Sequence, residues 1–224
     1  MEVWLDTIDL DTIRHARQLG IIAGVTTNPA ILGGAEETIE PLLARLLDIQ
    51  PGRLAVQVTR DDAAGQIAQA RKIAALSERI VIKIPAVGEG FQAMATLERE
   101  GIKTLATTIF EPRQIIMAGM VGASYAAPYV NRIEKSTGDA WLVIETAQHV
   151  LDHYGYQTKI MGAAIKSTEQ FVRCASLGIA AITLPANNYQ QIFASSTDID
   201  DSLQQFAAAW KSNRFATTSN LFQL

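Results

Sequence analysis

Short β-type runs alternate with longer helical segments along the whole chain, and this alternation constrains the fold more than any single motif does. The strand candidates are Val3–Thr7, Gly24–Asn28, Leu54–Thr59, Ile80–Pro85, Ile102–Ile109, Ser124–Tyr129, Lys159–Ile165 and Ala180–Leu184. They start roughly 20–35 residues apart, the length of a strand–helix unit. Helices are expected between them at Leu10–Gln18, Ile39–Asp48, Asp61–Leu76, Gly88–Glu100, Pro112–Met120, Ala140–His153, Thr168–Ser176 and Tyr189–Ala194, with a final helix at about Ser202–Trp210. Gly20, Gly101 and Gly178 fall where helices should end, the place of a left-handed cap. Thr59-Arg60-Asp61-Asp62 sets a capping residue and two acids at a helix start. About eight such units predict a closed parallel barrel, with an open doubly wound sheet as the rival. The rival's nucleotide-binding forms lose support, because no G-x-G-x-x-G follows the first strand and no G-x-x-x-x-G-K-[ST] occurs. The nearest match, Gly88-Glu89-Gly90-Phe91-Gln92-Ala93, reads as a glycine turn.

No Pro/Ser/Gly-rich linker interrupts the 224 residues, so one domain over 1–224 is expected. Residues from about 202 to 224 read as a C-terminal helix and tail; Phe215–Leu224 either frays or docks on a neighbouring subunit. A net charge of -4 without a Lys/Arg run argues against nucleic acid or an anionic membrane as partner. The lone Cys174 excludes a disulfide framework and a Cys-rich zinc site, and fits a reducing compartment. No apolar run approaches about 18 residues, and Met-Glu-Val-Trp-Leu-Asp lacks the regions of a signal peptide. A soluble cytoplasmic protein is expected.

Side chains alternate between lumen and helical layer along a barrel strand. In Ile80-Val81-Ile82-Lys83-Ile84-Pro85 the isoleucines share one face, so Val81 and Lys83 should point inward. A lumen lysine is costly to desolvate unless paired or neutral, and Asp6, which shares a face with Trp4, is the candidate partner. Thr26 and Asn28 come from strand two, Gln57 and Thr59 from strand three, Thr107 with Leu105 from strand five, and Tyr129 with Ala127 from strand six. These polar groups lie near the strands' carboxyl ends, where barrel enzymes place their chemistry. A desolvated lysine suits nucleophilic attack on a carbonyl, since burial disfavours the ammonium. Such an iminium is its own electron sink, so no metal or cofactor is called for. Read singly, Lys83 could equally be an ion-paired strand residue, and Asp6 a cap or turn residue.

Val3-Trp4-Leu5-Asp6-Thr7, Gly24-Val25-Thr26-Thr27-Asn28-Pro29, Ile82-Lys83-Ile84-Pro85 and Ala127-Pro128-Tyr129-Val130-Asn131-Arg132 resemble, in order and spacing, the motifs of the transaldolase family. The chain is most similar to its small branch, which includes fructose-6-phosphate aldolase, from residue 1 to about 210. The resemblance implies a (β/α)8 TIM barrel of class I aldolase type with Lys83 as the Schiff-base lysine and Asp6 assisting proton transfers. It implies that Thr26 and Asn28 contact the dihydroxyacetone portion, and that Gln57, Thr107 and Tyr129 position water and relay protons. Arg132 would recognise the substrate phosphate, its planar fork suiting bidentate contacts. Leu105, Ala164 and Lys166 complete the expected substrate-binding set. Transaldolases of the family carry Glu where this chain has Gln57, and the larger ones carry Phe in place of Tyr129. An amide can orient water but cannot act as a base, so the pattern implies release of free dihydroxyacetone rather than its transfer. Two departures stand out: Ala164 replaces a phosphate-binding Ser, and Phe110 replaces a tyrosine.

The expected activity is therefore an aldolase acting on fructose 6-phosphate-like ketose phosphates. The alternatives are a transaldolase and, more remotely, a non-catalytic sugar-phosphate-binding barrel. The resemblance implies a homo-oligomer, a decamer being one form it suggests, with Ala207–Ala209 and Trp210 as a docking face. His149 and His153 lie one helical turn apart after Glu145 and read as a solvated face, not a metal site. Cys174 and the pair Met117 and Met120 read as packing.

Overall fold

Alternating apolar runs and amphipathic segments become strands and helices in the computed structural model, which describes residues 1–136 and 138–213. The tail Phe215–Leu224 lies outside the described residues. The order is β1 (Glu2–Asp6), α1 (Leu10–Gln18), β2 (Ile22–Thr26), α2 (Pro29–Gly33), α3 (Ile39–Ile49), β3 (Arg53–Gln57), α4 (Ala63–Ala74), β4 (Ile80–Pro85), α5 (Gly90–Arg99) and β5 (Thr104–Ile109). It continues with α6 (Pro112–Met120), β6 (Tyr125–Pro128), α7 (Val130–Ser136), α8 (Ala140–Tyr154), β7 (Lys159–Gly162), α9 (Thr168–Ser176), β8 (Ala181–Leu184), α10 (Ala186–Gln191) and α11 (Thr197–Ser212). Each strand pairs in parallel with its sequence neighbours and β8 returns to β1, closing an eight-stranded barrel. The chain is a (β/α)8 TIM barrel followed by a C-terminal helix, and the open sheet is excluded.

Two compact units are present. The first, Met1–Gln190, holds the barrel, and the second begins at Gln191 and holds α11. Among the described residues no helix is long and apolar enough to cross a membrane.

Local chemistry sets the boundaries. Asp9, Asp62, Asp139 and Ser167 accept backbone N–H bonds at the starts of α1, α4, α8 and α9, satisfying donors that a helix start leaves open. Gly20, Gly101 and Gly178 have φ of 69°, 80° and 70°, as their place at helix ends requires. Several expectations are corrected. The helix expected at Tyr189–Ala194 begins earlier, at Ala186, directly after β8. The last helix runs Thr197–Ser212, because Ser196 caps it through Ile199 N and two acids occupy its first turn. Its apolar stripe is Ile199, Leu203, Phe206 and Trp210, all exposed, and Ala207–Ala209 are exposed as well. Two short helices, α2 and α7, were not anticipated. Met117 and Met120 are exposed and do not pack inward; α6 turns Ile115, Ala118 and Gly119 inward instead. A Cβ on Gly119 would lie 2.6 Å from Leu151 of α8, so the two helices approach through that glycine.

The lumen core is a layer of Trp4, Ala55, Val81, Leu105, Tyr125, Ala127, Met161, Ala163 and Ala181. The Trp4 indole lies over Gly24, its register partner on the adjacent strand, which has no Cβ; one there would lie 2.6 Å from the indole. Below this layer, Glu2 accepts hydrogen bonds from Trp4 Nε1 (3.1 Å), Tyr125 Oη (2.9 Å) and Lys159 Nζ (2.6 Å). Arg53 donates to Tyr125 Oη at 2.9 Å. Cavities of about 350 and 430 Å³ open at this amino-terminal mouth. The cations they share, Arg53 and Lys159, are bonded within the plug, whose polar groups satisfy one another.

Candidate active site

The period of two along each strand carries the lumen face from the apolar layer to a polar one at the carboxyl end. Two residues beyond Trp4, Ala55, Val81, Leu105, Ala127 and Ala181 stand Asp6, Gln57, Lys83, Thr107, Tyr129 and Thr183. Register aligns them: Asp6 pairs with Thr26, Gln57 with Lys83, and Lys83 with Leu105. Lys83 is only 5% exposed, and its Nζ donates to the carbonyl of Thr27 at 3.3 Å.

Asp6 is not the ion-pair partner of Lys83. Its Oδ1 accepts from Thr26 Oγ1 at 2.7 Å, and Thr26 Oγ1 lies 2.7 Å from Thr183 Oγ1. No salt bridge to Lys83 occurs among the described residues. A buried lysine with one carbonyl partner keeps donors, or a lone pair, for a ligand. Asn28 accepts from Ile31 N at 3.0 Å as the cap of α2, with Pro29 at the first helical position. Its carbonyl is thus committed to the helix, which leaves its NH2 group for a ligand.

On the opposite side, Thr107 Oγ1 and Tyr129 Oη are 2.9 Å apart. Phe110 packs its edge on the Tyr129 ring at 5.7 Å, and the Arg132 guanidinium covers that ring at 4.7 Å. Arg132 itself is exposed, on the first turns of α7. A cation stacked on an aromatic face keeps its N–H edge open for an anion. Gln57 makes no side-chain hydrogen bond to the described chain, which suits a group that orients a ligand or water. Leu105 is fully buried in the apolar layer beneath. Ala164, two residues beyond the end of β7, has φ of 55°, a turn that is incompatible with the strand continuing to Ile165 as expected. The exposed Lys166 follows, its backbone N–H donating to Gln170 Oε1 at 2.7 Å.

Some participants were missed by sequence reasoning. The carbonyl of Thr27 and the hydroxyl of Thr183 belong to the site, and Thr183 was legible as the residue two beyond Ala181. Gln114, which holds the loop after β5, was signalled by Glu111-Pro112-Arg113-Gln114, an N-terminal helix cap pattern. Away from the site, burial and the nearby Glu134 push the Cys174 thiol up to about 12, leaving it an unreactive core group. His149 and His153 stack on the exposed face of α8 at 6.3 Å.

Comparison with known proteins agrees with this architecture. The family model described as Transaldolase/Fructose-6-phosphate aldolase matches residues 3–223. A protein named "Probable transaldolase" from Coprothermobacter proteolyticus is 35% identical over 210 residues, covering 94% of this chain and 96% of that protein. One of the same name from Geobacter sulfurreducens is 34% identical over 212 residues, covering 95% and 99%. A solved mandelate oxidase mutant carrying an FMN adduct superposes with a TM-score of 0.56 over 92% of this chain and 71% of its own. At 15% identity that likeness concerns the fold alone.

Proposed function

The chain belongs to the transaldolase/fructose-6-phosphate aldolase family, and from that premise we propose that it is a Schiff-base enzyme handling a dihydroxyacetone unit of a ketose phosphate. The observation that carries the reading is Lys83, a lysine buried in the lumen without a carboxylate partner, within the polar layer of the carboxyl mouth. Its amine adds to the ketone carbon and water leaves, giving an iminium. The adjacent C–C bond then breaks, its electron pair flowing into the iminium to form an enamine as the neighbouring hydroxyl loses a proton and becomes an aldehyde. Protonation of the enamine carbon and hydrolysis release dihydroxyacetone and regenerate the amine.

Roles follow from position. Asp6, through Thr26, serves proton transfer on the β1–β2 side, and Thr26 with the Asn28 amide holds the substrate hydroxyls. Gln57, Thr107 and Tyr129 hold the water that delivers and takes protons. Arg132 and Lys166 meet the phosphate beside Ala164, above Leu105. Between release and transfer, the amide of Gln57 with the Thr107–Tyr129 pair supports release, an aldolase activity. The names of the relatives favour the second reading, a transaldolase that passes the enamine to an aldose acceptor. The proposal includes a cytoplasmic homo-oligomer, on the single buried cysteine and the exposed stripe of α11.

Incubation with dihydroxyacetone, borohydride reduction and peptide mass analysis test the chemistry. A reduced adduct on Lys83 that is absent in Lys83→Met is expected. Absence of an adduct with either dihydroxyacetone or fructose 6-phosphate would return the protein to a binding role. Turnover of fructose 6-phosphate without an acceptor distinguishes aldolase from transaldolase.

A further inference from the structure

Thr108 is a β-branched residue with φ of 60°, a conformation rare for any residue but glycine. It sits where the β5–β6 register breaks between Ala106 and Ile109, so β5 carries an irregularity beside Thr107. Such strain persists only where the surroundings enforce it. Beside the backbone bonds of the flanking residues, one side chain makes four bonds here. Gln114, on the first turn of α6, accepts from Phe110 N (2.9 Å) and Glu111 N (3.1 Å) through Oε1. Through Nε2 it donates to Thr108 O (3.0 Å) and Ala86 O (2.9 Å). Two accepted and two donated bonds use the whole capacity of an amide.

These four bonds surround Thr107. Thr108 is its chain neighbour, and Ala86 is the residue whose N–H donates to Thr107 O at 2.8 Å. Phe110 is the residue whose edge meets the Tyr129 ring, and Ile109 O accepts from Tyr129 N at 3.0 Å. From this juxtaposition we infer that Gln114 is a positioning residue for proton transfer, a clamp that holds Thr108 in its left-handed turn so that Thr107 Oγ1 meets Tyr129 Oη. The inference rests on the proposed role of Thr107 and Tyr129. Gln114 has no part in binding the phosphate or forming the iminium, so its loss affects turnover selectively.

The test uses Gln114→Leu, which removes all four bonds at similar size, and the double variant Gln114→Leu/Thr108→Gly, in which glycine takes φ of about 60° unaided. Fructose 6-phosphate turnover is measured with and without an aldose phosphate acceptor, beside borohydride trapping with dihydroxyacetone and a melting curve. Gln114→Leu is expected to lower kcat about tenfold or more, a part of the 10²–10⁴ that acid–base groups supply. KM should stay within about threefold, and Lys83 should remain trappable. Thr108→Gly in that background is expected to recover most of the lost kcat. Should Gln114→Leu not fold, Gln114→Glu keeps the acceptor bonds, loses the two donors and is expected to show the same fall. A folded variant with unaltered kcat, or a fall that glycine leaves untouched, overturns the clamp. Absence of an adduct in the unmodified enzyme is a different result, overturning the Schiff-base reading and the clamp with it.

Discussion

Thr107 Oγ1 and Tyr129 Oη lie 2.9 Å apart at the carboxyl ends of β5 and β6, with Phe110 and Arg132 packed against the tyrosine ring. The two hydroxyls form one donor–acceptor pair, which in the proposed mechanism holds the water that serves the enamine. Tyr129→Phe keeps the ring, and so the stacking, and deletes the hydroxyl of the proposed proton route. Release of dihydroxyacetone should fall about 10²-fold, while borohydride trapping on Lys83 persists and the ratio of acceptor transfer to release rises. Product analysis by chromatography, with and without acceptor, measures both.

Ala164 occupies a turn with φ of 55° beside the proposed phosphate site. Serine has the same Cβ and meets the same backbone demand, so Ala164→Ser adds a hydroxyl without added strain. One ordinary hydrogen bond should lower KM for fructose 6-phosphate about two- to tenfold and leave that for unphosphorylated fructose unchanged. Equal changes for both sugars would mean that the loop does not meet the phosphate.

Glu2 anchors the amino-terminal plug. Burial raises its carboxyl, but hydrogen bonds from Lys159, Trp4 and Tyr125 outweigh it and hold the group below its ordinary 4.5. A carboxyl depressed on folding contributes stability above its unfolded value and loses it as pH falls through the folded one. The stability gap between the unmodified protein and Glu2→Gln should therefore be widest near neutral pH and shrink below about pH 4.5. Urea melts across that range give the answer, and a gap that grows on acidification would reverse the sign.

Gly24→Ala would set a Cβ 2.6 Å from both the Trp4 indole and the Arg53 carbonyl oxygen. Backbone cannot yield as a flexible side chain does, so a loss of about 3 kcal/mol is expected, the upper part of the overpacking range. Near-UV dichroism of the indole, read beside the melt, should change with it.

Ile199, Leu203, Phe206 and Trp210 recur on one face of α11 at helical spacing, and Ile199, Leu203 and Phe206 are half exposed or more. Phe206→Asp is expected to shift sedimentation toward a smaller species without loss of helicity. A monomer in the unmodified protein would remove the oligomer from the proposal.

Much of this was legible because strand periodicity is local. Ile80–Pro85 alone indicates that Val81 and Lys83 face one way, and the same count of two places Gln57 and Thr107 in the lumen. Eight repeats of one unit favoured the barrel, since in a closed sheet every strand has neighbours on both edges, but the open sheet shares that alternation and only the β8–β1 pairing excludes it. The misplaced elements were those whose signal is a single cap. Asn28 opens a helix of five residues through one oxygen, too short to show an apolar rhythm, and the start of α11 is fixed by the Ser196 cap, although its apolar rhythm from Ile199 onward marks the helix itself.

The sequence by itself thus determined the alternation of strand and helix, the inward face of the first six strands and the position of Lys83 in the chain. Only the tertiary structure decided what those inward groups bond to. Asp6 could have paired with Lys83, yet the β1–β2 register puts Thr26 beside it, and the lysine turns to the Thr27 carbonyl. Likewise nothing local links Gln114 to Ala86, 28 positions away. A side chain's periodicity is set by its own backbone, whereas its hydrogen bonds depend on where distant strands align once the barrel has closed.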